Sequence, residues 1–219
     1  MPAGHFPPFQ RSGGDVQHEG RIGVIDIGSN SIRLVVYDGV KRAPLPLFNE
    51  KIFCGLGKNL ASTGKLNPDG IKQAEACMKR FLALVRVMDV VELQIMATAA
   101  VRDAQDGAAF VEKLERAHRI NINVISGKKE ARLAAAGIFS SVYKPQGLAG
   151  DMGGGSIELI SLEKGSTHEQ TTLPIGPLRI MDLSRGDKDK MRKLIAEGLS
   201  GEKWLQDLHP EHFYELVVY

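Results

Sequence analysis

Short apolar runs alternate with amphipathic stretches along the chain, and this alternation predicts a mixed α/β fold. The first runs are separated by short polar breaks, which is typical of antiparallel strands that follow one another as a meander. These three strands are predicted over 22–26, 31–37 and 45–53. Apolar residues then recur every three or four positions over 71–88, which predicts a helix with one face on a core. Asn67 suits the cap of this helix and Pro68 its first position.

The same alternation continues to the end of the chain. Further strands are predicted over 91–98, 122–125, 148–151, 157–162, 168–173 and 213–219. Further helices are predicted over 109–117 and 126–143, in a short segment that carries Arg179, and once or twice over 187–208. Asp103 and Ser126 have the side chains of helix caps.

Two changes of composition predict the domain organisation. Residues 1–20 are rich in Pro, Gly and polar side chains, which predicts a flexible tail. The sequence Lys-Pro-Gln-Gly at 144–147 is typical of a break between domains. We therefore predict one domain over 21–144 and a second over 145–219.

Two stretches repeat one pattern, DIGSNSIRL at 26–34 and DMGGGSIEL at 151–159. In each, an Asp ends an apolar run, glycine and serine follow, and a second apolar run begins. The pattern predicts strand, tight turn, strand. Glycine permits positive φ and a close approach of the backbone to a ligand. Successive backbone N–H groups together with a serine hydroxyl suit phosphate oxygens.

The aspartates before the two turns add a candidate metal site. Asp26 and Asp151 could hold Mg²⁺ directly or through water, because Mg²⁺ prefers few carboxylates, several waters and substrate phosphates. Two such turns facing each other across a cleft would hold a phosphate chain from both sides. The alternative is a pair of glycine-rich hairpins without a ligand, since short glycine motifs also occur by chance.

Four segments of the chain, in order, resemble the exopolyphosphatase / guanosine pentaphosphate phosphohydrolase (Ppx/GppA) family of the sugar-kinase, Hsp70 and actin superfamily. They are DIGSNSIRL, ATAAVRD at 97–103, ISGKKEARL at 125–133 and DMGGGSIEL. The resemblance runs from about residue 21 to about residue 182. It implies an actin-like (ribonuclease H-like) ATPase-type duplicated fold with two lobes around a cleft. Family members continue past a strand like 213–219, so an incomplete second lobe is expected.

The resemblance also implies a general base. Glu130 occupies the position where we place the family's catalytic glutamate, and Lys129 stands where the family usually has another glutamate. Adjacent helical residues point about 100° apart, so only one of the two faces the cleft well. If the base belongs at position 129, this chain lacks it. A glutamate in the first turn of a helix is also favoured by the helix dipole alone.

The remaining candidates would contact phosphate. They are Ser29, Asn30, Ser31, Arg33, Arg102, Gly153, Gly154, Gly155, Ser156 and Glu158. Arg102 matches an arginine that faces the cleft in the family, and the arginine fork fits phosphate, although a surface ion pair is the alternative. Glu158 is expected to help order metal-bound water. Arg132 could pair with Glu158 or lie on the surface.

Composition excludes some classes of protein. The net charge is only +2, so no global positive field indicates nucleic-acid binding. Cys54 and Cys77 show no metal-type spacing and no disulfide pattern. No apolar run approaches the ~20 residues that span a membrane, and the N-terminus has no signal-peptide pattern. The expected location is the cytoplasm, and the resemblance adds a possible homodimer.

The function expected from these observations is Mg²⁺-dependent hydrolysis of terminal phosphoanhydride bonds of inorganic polyphosphate. A guanosine pentaphosphate phosphohydrolase would have the same motifs. A non-catalytic sensor of phosphate or nucleotide would fit Lys129 and an incomplete second lobe. A sugar-type kinase is disfavoured, because those enzymes usually place an Asp where this chain has Glu130.

Overall fold

The computed structural model describes residues 20–41, 44–163 and 166–207, and the backbone of 217 and 218. The predicted tail over 1–20, apart from residue 20, lies outside the described residues, as does most of the predicted strand over 213–219. Within the described ranges the chain forms two sheets with helices packed on them. None of the helices in these ranges is both long and apolar enough to cross a membrane.

The first sheet has five strands in the order β3-β2-β1-β4-β5. They are β1 (Arg21–Ile27), β2 (Ser31–Tyr37), β3 (Pro46–Phe53), β4 (Val90–Ala97) and β5 (Asn123–Val124). β1, β2 and β3 pair antiparallel, which confirms the predicted meander. β4 pairs parallel with β1, and β5 pairs parallel with β4. The carboxyl ends of β1, β4 and β5 therefore lie on the same side of the sheet, where the three parallel strands end.

Helices cover one face of the first sheet and enclose its core. They are α1 (Leu60–Thr63), α2 (Pro68–Val87), α3 (Ala99–Asp103) and α4 (Gly107–His118). Ile25 and Leu34 from the sheet and Phe81 from α2 are fully buried in this core, and each such side chain contributes roughly 1.5–3 kcal/mol. Asn67 caps α2 by accepting a hydrogen bond from the backbone N–H of Asp69, as predicted.

The second sheet repeats the order of the first, as β8-β7-β6-β9. Its strands are β6 (Gly147–Met152), β7 (Ile157–Glu163), β8 (Ser166–Leu173) and β9 (Val217–Val218). β6, β7 and β8 pair antiparallel, and β9 pairs parallel with β6, as β4 does with β1. This repetition places the turn between β6 and β7 in the same structural position as the turn between β1 and β2.

The helices of the second half include one that begins before the predicted domain boundary. They are α5 (Gly127–Ser141), α6 (Pro177–Ser184), α7 (Lys188–Ser200) and α8 (Lys203–Gln206). α5 buries Ala131, Ala135 and Ile138 against Ala149 and Ile160 of the second sheet. The predicted division at 144 and 145 stays a prediction, but this helix packs with the second sheet.

Hydrogen bonds join the two halves beside the cleft. Ser62 at α1 donates both its backbone N–H and its hydroxyl to the carboxylate of Asp182 on α6, at 3.0 and 2.7 Å. Arg179 on α6 donates to Asp103 on α3 at 3.2 Å. These contacts hold α6, and the turn that precedes β7, against the first half of the chain.

Candidate active site

The two predicted turns face each other and line one cleft with a volume of about 420 Å³. Glycine turn 1 comprises residues 28–31 between β1 and β2, and glycine turn 2 comprises residues 153–156 between β6 and β7. A volume of this size suits a small ligand. The predicted site residues that line the cleft are Asp26, Ser29, Asn30, Ser31, Arg33, Glu130, Asp151, Gly153, Gly154, Gly155 and Ser156. The structure thus brings together residues that lie more than 120 positions apart in the sequence.

Gly154 and Gly155 allow glycine turn 2 to pack closely against glycine turn 1. A Cβ at Gly154 would lie 3.1 Å from the Cβ of Ser29, and one at Gly155 would lie 3.0 Å from the Ser29 hydroxyl. Ser29 is 4% exposed between them. Neither Gly28 nor any glycine of 153–155 uses the positive φ that glycine permits. The missing side chains of Gly154 and Gly155 instead let glycine turn 2 approach Ser29 of glycine turn 1.

Gly176 supports glycine turn 2 from behind. A Cβ at this position would lie 2.5 Å from the carbonyl carbon of Gly155 and 2.5 Å from the backbone nitrogen of Ser156. The next helix, α6, begins here, and its Leu178 N–H donates to the Gly154 carbonyl at 2.9 Å. The start of α6 therefore fixes the backbone of glycine turn 2.

We expect Gly176→Ala to lower the free energy of unfolding by about 1–3 kcal/mol or more, because the new methyl group overlaps backbone that has no room to move. Thermal unfolding measures this change. Gly137→Ala is the matched control, since a Cβ there meets nothing within 4 Å on α5, and helical Gly→Ala changes stabilise by about 0.5–1 kcal/mol. Equal melting temperatures for both variants would contradict this role of Gly176.

Asp26 and Asp151 bring two negative charges into the cleft. Asp26 is open to solvent on the cleft side and enclosed by protein on its other sides. Burial, followed by the charge of Asp151, raises the pKa of Asp26 to about 6, against the opposing effects of Arg33 and Lys51. Burial also raises the pKa of Asp151, and the charge of Lys51 opposes this increase. Burial therefore disfavours the ionised form of both carboxylates.

These two carboxylates fit a magnesium ion that also binds phosphate. No group of three or more His, Cys, Asp or Glu side chains is arranged to hold a metal within the described ranges. Mg²⁺ does not need one, because it is usually held by one or two carboxylates, waters and substrate phosphates. A cation bound here would favour the ionised form of Asp26, whose pKa is raised by burial and by the charge of Asp151.

Glu130 is the member of the 129–130 pair that faces the cleft. Ser126 caps α5 by accepting from the backbone N–H of Lys129, as predicted, and this start of the helix turns Glu130 inward. The Lys129 side chain is exposed and does not line the cleft. Burial raises the pKa of Glu130, which the hydrogen bond and the charge of Arg102 partly counteract. The lysine at 129 therefore does not remove the carboxylate from the cleft.

Arg102 lies behind Glu130 and is hydrogen-bonded to it. Its Nη1 donates to Glu130 Oε2 at 3.2 Å and to the carbonyl of Ile125 at 3.0 Å. Its Nε donates to Asp103 at 3.3 Å. Arg102 does not line the cleft in this geometry. Its predicted contact with phosphate stays a prediction, and the observed contacts position the carboxylate of Glu130.

Asp103 does not cap a helix, so that prediction is wrong. It is the last residue of α3, and its carboxylate binds Arg102 and Arg179. The cap position of α4 is Asp106, whose side chain accepts from the backbone N–H of Leu66. The sequence pattern misled because it gave no sign of the short helix α3, which occupies Asp103 and leaves the cap position to Asp106.

Glu158 is fully buried beneath glycine turn 2, opposite Asp151 in the strand register. Neither of its carboxylate oxygens has a hydrogen-bond partner among the residues that the structure describes. Burial, followed by the charge of Glu130, raises its pKa to about 7; the nearby Ser156 hydroxyl lowers it, without a hydrogen bond of normal geometry. Arg132 is exposed and does not reach it. Glu158 does not line the cleft, and its predicted role at phosphate stays a prediction.

Sequence reasoning missed two polar residues that line the cleft, Lys51 and Thr98. Lys51 lies on β3 directly opposite Arg33 on β2. Residues that are directly opposite share a face of the sheet, so the strand register could have revealed Lys51. The alternation along β3 alone did not, because an exposed lysine is common on an edge strand. Lys58, an exposed lysine that follows β3 in the chain, does not line the cleft.

Comparison with known proteins gives consistent matches. The profile of the Ppx/GppA phosphatase family matches residues 35–202. Exopolyphosphatase 1 of Mycobacterium tuberculosis is 28% identical over 183 residues, which cover 80% of this chain and 52% of that protein. A guanosine-5'-triphosphate,3'-diphosphate pyrophosphatase of Aliivibrio fischeri is 27% identical over 180 residues, which cover 82% of this chain and 36% of that protein. The chain thus spans about half or less of these curated relatives.

A solved structure gives the same result for the fold. The crystal structure of an exopolyphosphatase from Cytophaga hutchinsonii superposes with a TM-score of 0.80 at 29% identity, over 90% of this chain and 66% of that one. Together with the mixed sheets described above, this similarity confirms the predicted α/β fold of the actin-like ATPase type.

Proposed function

The chain belongs to the Ppx/GppA phosphatase family, and we propose that it hydrolyses the terminal phosphoanhydride bond of inorganic polyphosphate and releases phosphate. One observation carries the proposal: two glycine turns, two aspartates and Glu130 line one cleft. The name of the M. tuberculosis relative supports polyphosphate as the substrate. The test is phosphate release from long-chain polyphosphate by the folded chain, with and without Mg²⁺.

Glycine turns 1 and 2 supply the groups that would hold the phosphate chain. Backbone N–H groups of such turns form concave anion sites. Ser31 lines the cleft on one side. On the other side Ser156 also lines it, as the last residue of glycine turn 2.

Asp26 and Asp151 would hold Mg²⁺ in the cleft, next to glycine turns 1 and 2. A bound magnesium ion would neutralise part of the negative charge on the phosphates that it contacts. Arg33 adds a positive charge beside Asp26, its direct cross-strand partner. Its Nε donates to Asn49 at 2.8 Å, which fixes the direction of the guanidinium.

Glu130 would orient a water molecule and accept its proton. The water oxygen forms a bond to the terminal phosphorus, and the bond from this phosphorus to the bridging oxygen breaks. The bridging oxygen leaves with the shortened chain, and the terminal group leaves as orthophosphate. A general base increases the reaction rate by about 10²–10⁴-fold. The raised pKa of Glu130 makes it a stronger base than an ordinary glutamate.

Replacing Arg102 by Gln is expected to move the acid limb of the activity profile to higher pH. Arg102 lowers the pKa of Glu130 through its hydrogen bond and charge. Without it the burial effect dominates, so a higher pH is needed to ionise the base. Phosphate release between about pH 5 and 9 measures the shift.

The control for this profile is Arg80→Gln, since Arg80 pairs with Glu50 away from the cleft. This variant should leave the acid limb unchanged. An Arg102→Gln profile that coincides with the parent profile, or that shifts to lower pH, would contradict the assignment of Glu130 as the group that titrates.

A second candidate substrate is guanosine pentaphosphate, which the name of the A. fischeri relative favours. The chemistry at the terminal phosphate would be the same. Assays of both substrates in parallel distinguish them by the ratio of kcat/KM values. A sensor without activity is less well supported, because Lys129 lies outside the cleft and Glu130 is within it.

A further inference from the structure

Building on the proposed function, we propose that Lys51 is a substrate-binding residue that contacts phosphates beyond the scissile bond and thereby favours longer chains. Lys51 is the one lysine among the described residues that line the cleft. It lies at the end of the cleft away from Glu130. Three observations support this assignment: its place in the sheet, its charge and its lack of an ion pair.

A row of three charged residues crosses the first sheet toward its edge. Asp26 on β1 is opposite Arg33 on β2, and Arg33 is opposite Lys51 on β3. Directly opposed residues project from the same face, and neighbouring strands lie about 4.8 Å apart. The backbone of Lys51 is therefore about 10 Å from that of Asp26, on the outermost strand of the sheet.

Glu130 approaches the cleft from the other side of Asp26. The strand order β3-β2-β1-β4-β5 places β4 and β5 opposite to β3. Arg102 lies on α3, which follows β4, and it binds both Glu130 and the carbonyl of Ile125, just after β5. If the terminal phosphate lies beside Glu130, the rest of an extended chain that follows the row reaches Lys51.

The charge of Lys51 acts on both aspartates of the cleft. It lowers the pKa of Asp26 and that of Asp151, whereas Arg33 acts on Asp26. No carboxylate lies within ion-pair distance of Lys51 in the part of the chain that the structure describes. Its Nζ instead lies 5.9 Å from the centre of the Phe53 ring. An exposed ammonium group without an ion pair is available to a phosphate.

The test compares Lys51→Met with Lys58→Met, which removes a nearby exposed lysine that does not line the cleft. Affinity is measured by calorimetry in the Glu130→Gln background, so that hydrolysis does not interfere. We expect Lys51→Met to weaken long-chain polyphosphate binding about tenfold, as for one charge-assisted contact. The affinity for pyrophosphate, which is too short to reach Lys51, should change less than about twofold. Lys51→Arg should restore most of the affinity.

The outcomes separate this proposal from the proposed function. If Lys51→Met selectively weakens binding of the long chain but the parent protein, with Glu130 intact, never releases phosphate, the role of Lys51 is supported and hydrolysis is overturned. Three results would overturn the role of Lys51. Lys51→Met could weaken the binding of pyrophosphate and of long-chain polyphosphate equally, or it could have the same effect as Lys58→Met. The folded chain could also fail to bind polyphosphate at all. Melting temperatures of the variants show that each is folded.

Discussion

Glu130→Gln is expected to lower the rate of phosphate release by about 10²–10⁴-fold, with polyphosphate affinity within a few-fold of the parent. Glutamine keeps the size of the side chain and can still accept a hydrogen bond from Arg102. It has no carboxylate to take a proton from water. Because this loss falls on the chemical step, kcat should fall while the dissociation constant stays nearly constant.

Lys129→Gln is the matched control for Glu130→Gln. It changes the adjacent residue to the same amide, but its side chain is exposed outside the cleft. Its activity should equal that of the parent within about twofold, as for a surface substitution. Turnover that persists in Glu130→Gln, or that disappears instead in Lys129→Gln, would show that Glu130 is not the base.

Asp151→Asn is expected to reduce phosphate release at least about 100-fold at moderate Mg²⁺, since even less direct changes at metal sites cost 10–100-fold. The amide has no negative charge to attract the ion. A higher Mg²⁺ concentration should recover part of the rate, because Asp26 remains in the cleft. Rates measured across a Mg²⁺ titration, with chelator as the zero point, give both effects.

Asp89→Asn provides the control for Asp151→Asn. Asp89 is exposed just before β4, at the end of the strands opposite to the cleft. Its φ of 52° is also a conformation that Asn tolerates. The Mg²⁺ dependence of this variant should match that of the parent. The same Mg²⁺ dependence in Asp151→Asn would contradict a metal at this carboxylate.

Local patterns in the sequence were enough to predict most of the elements that position the site, although not α3. The alternation of apolar residues gave the meander, and Asn67 and Ser126 marked the starts of α2 and α5. These features depend on neighbours within a few positions, so one sequence contains them. The repeat of two glycine segments likewise indicated two equivalent turns, which the matching strand orders of the two sheets explain.

Features that depend on contacts between distant segments could not be predicted in the same way. The requirement for glycine at 154 and 155 comes from Ser29, which lies in the other turn. Asp103 pairs with Arg179 across the two halves, which no local pattern reveals. The position of Lys51 depends on the register between β2 and β3. Each of these contacts is fixed by the tertiary fold and not by the neighbouring sequence.

We propose that this cleft removes phosphates one at a time from the end of a chain. Phosphorus NMR of long-chain polyphosphate with the protein and Mg²⁺ tests it most directly. We expect orthophosphate to be the small product that accumulates while the chain signal declines, and chelation of Mg²⁺ to stop the reaction. No orthophosphate from a folded protein, or fragments of intermediate length from internal cleavage, would contradict the account.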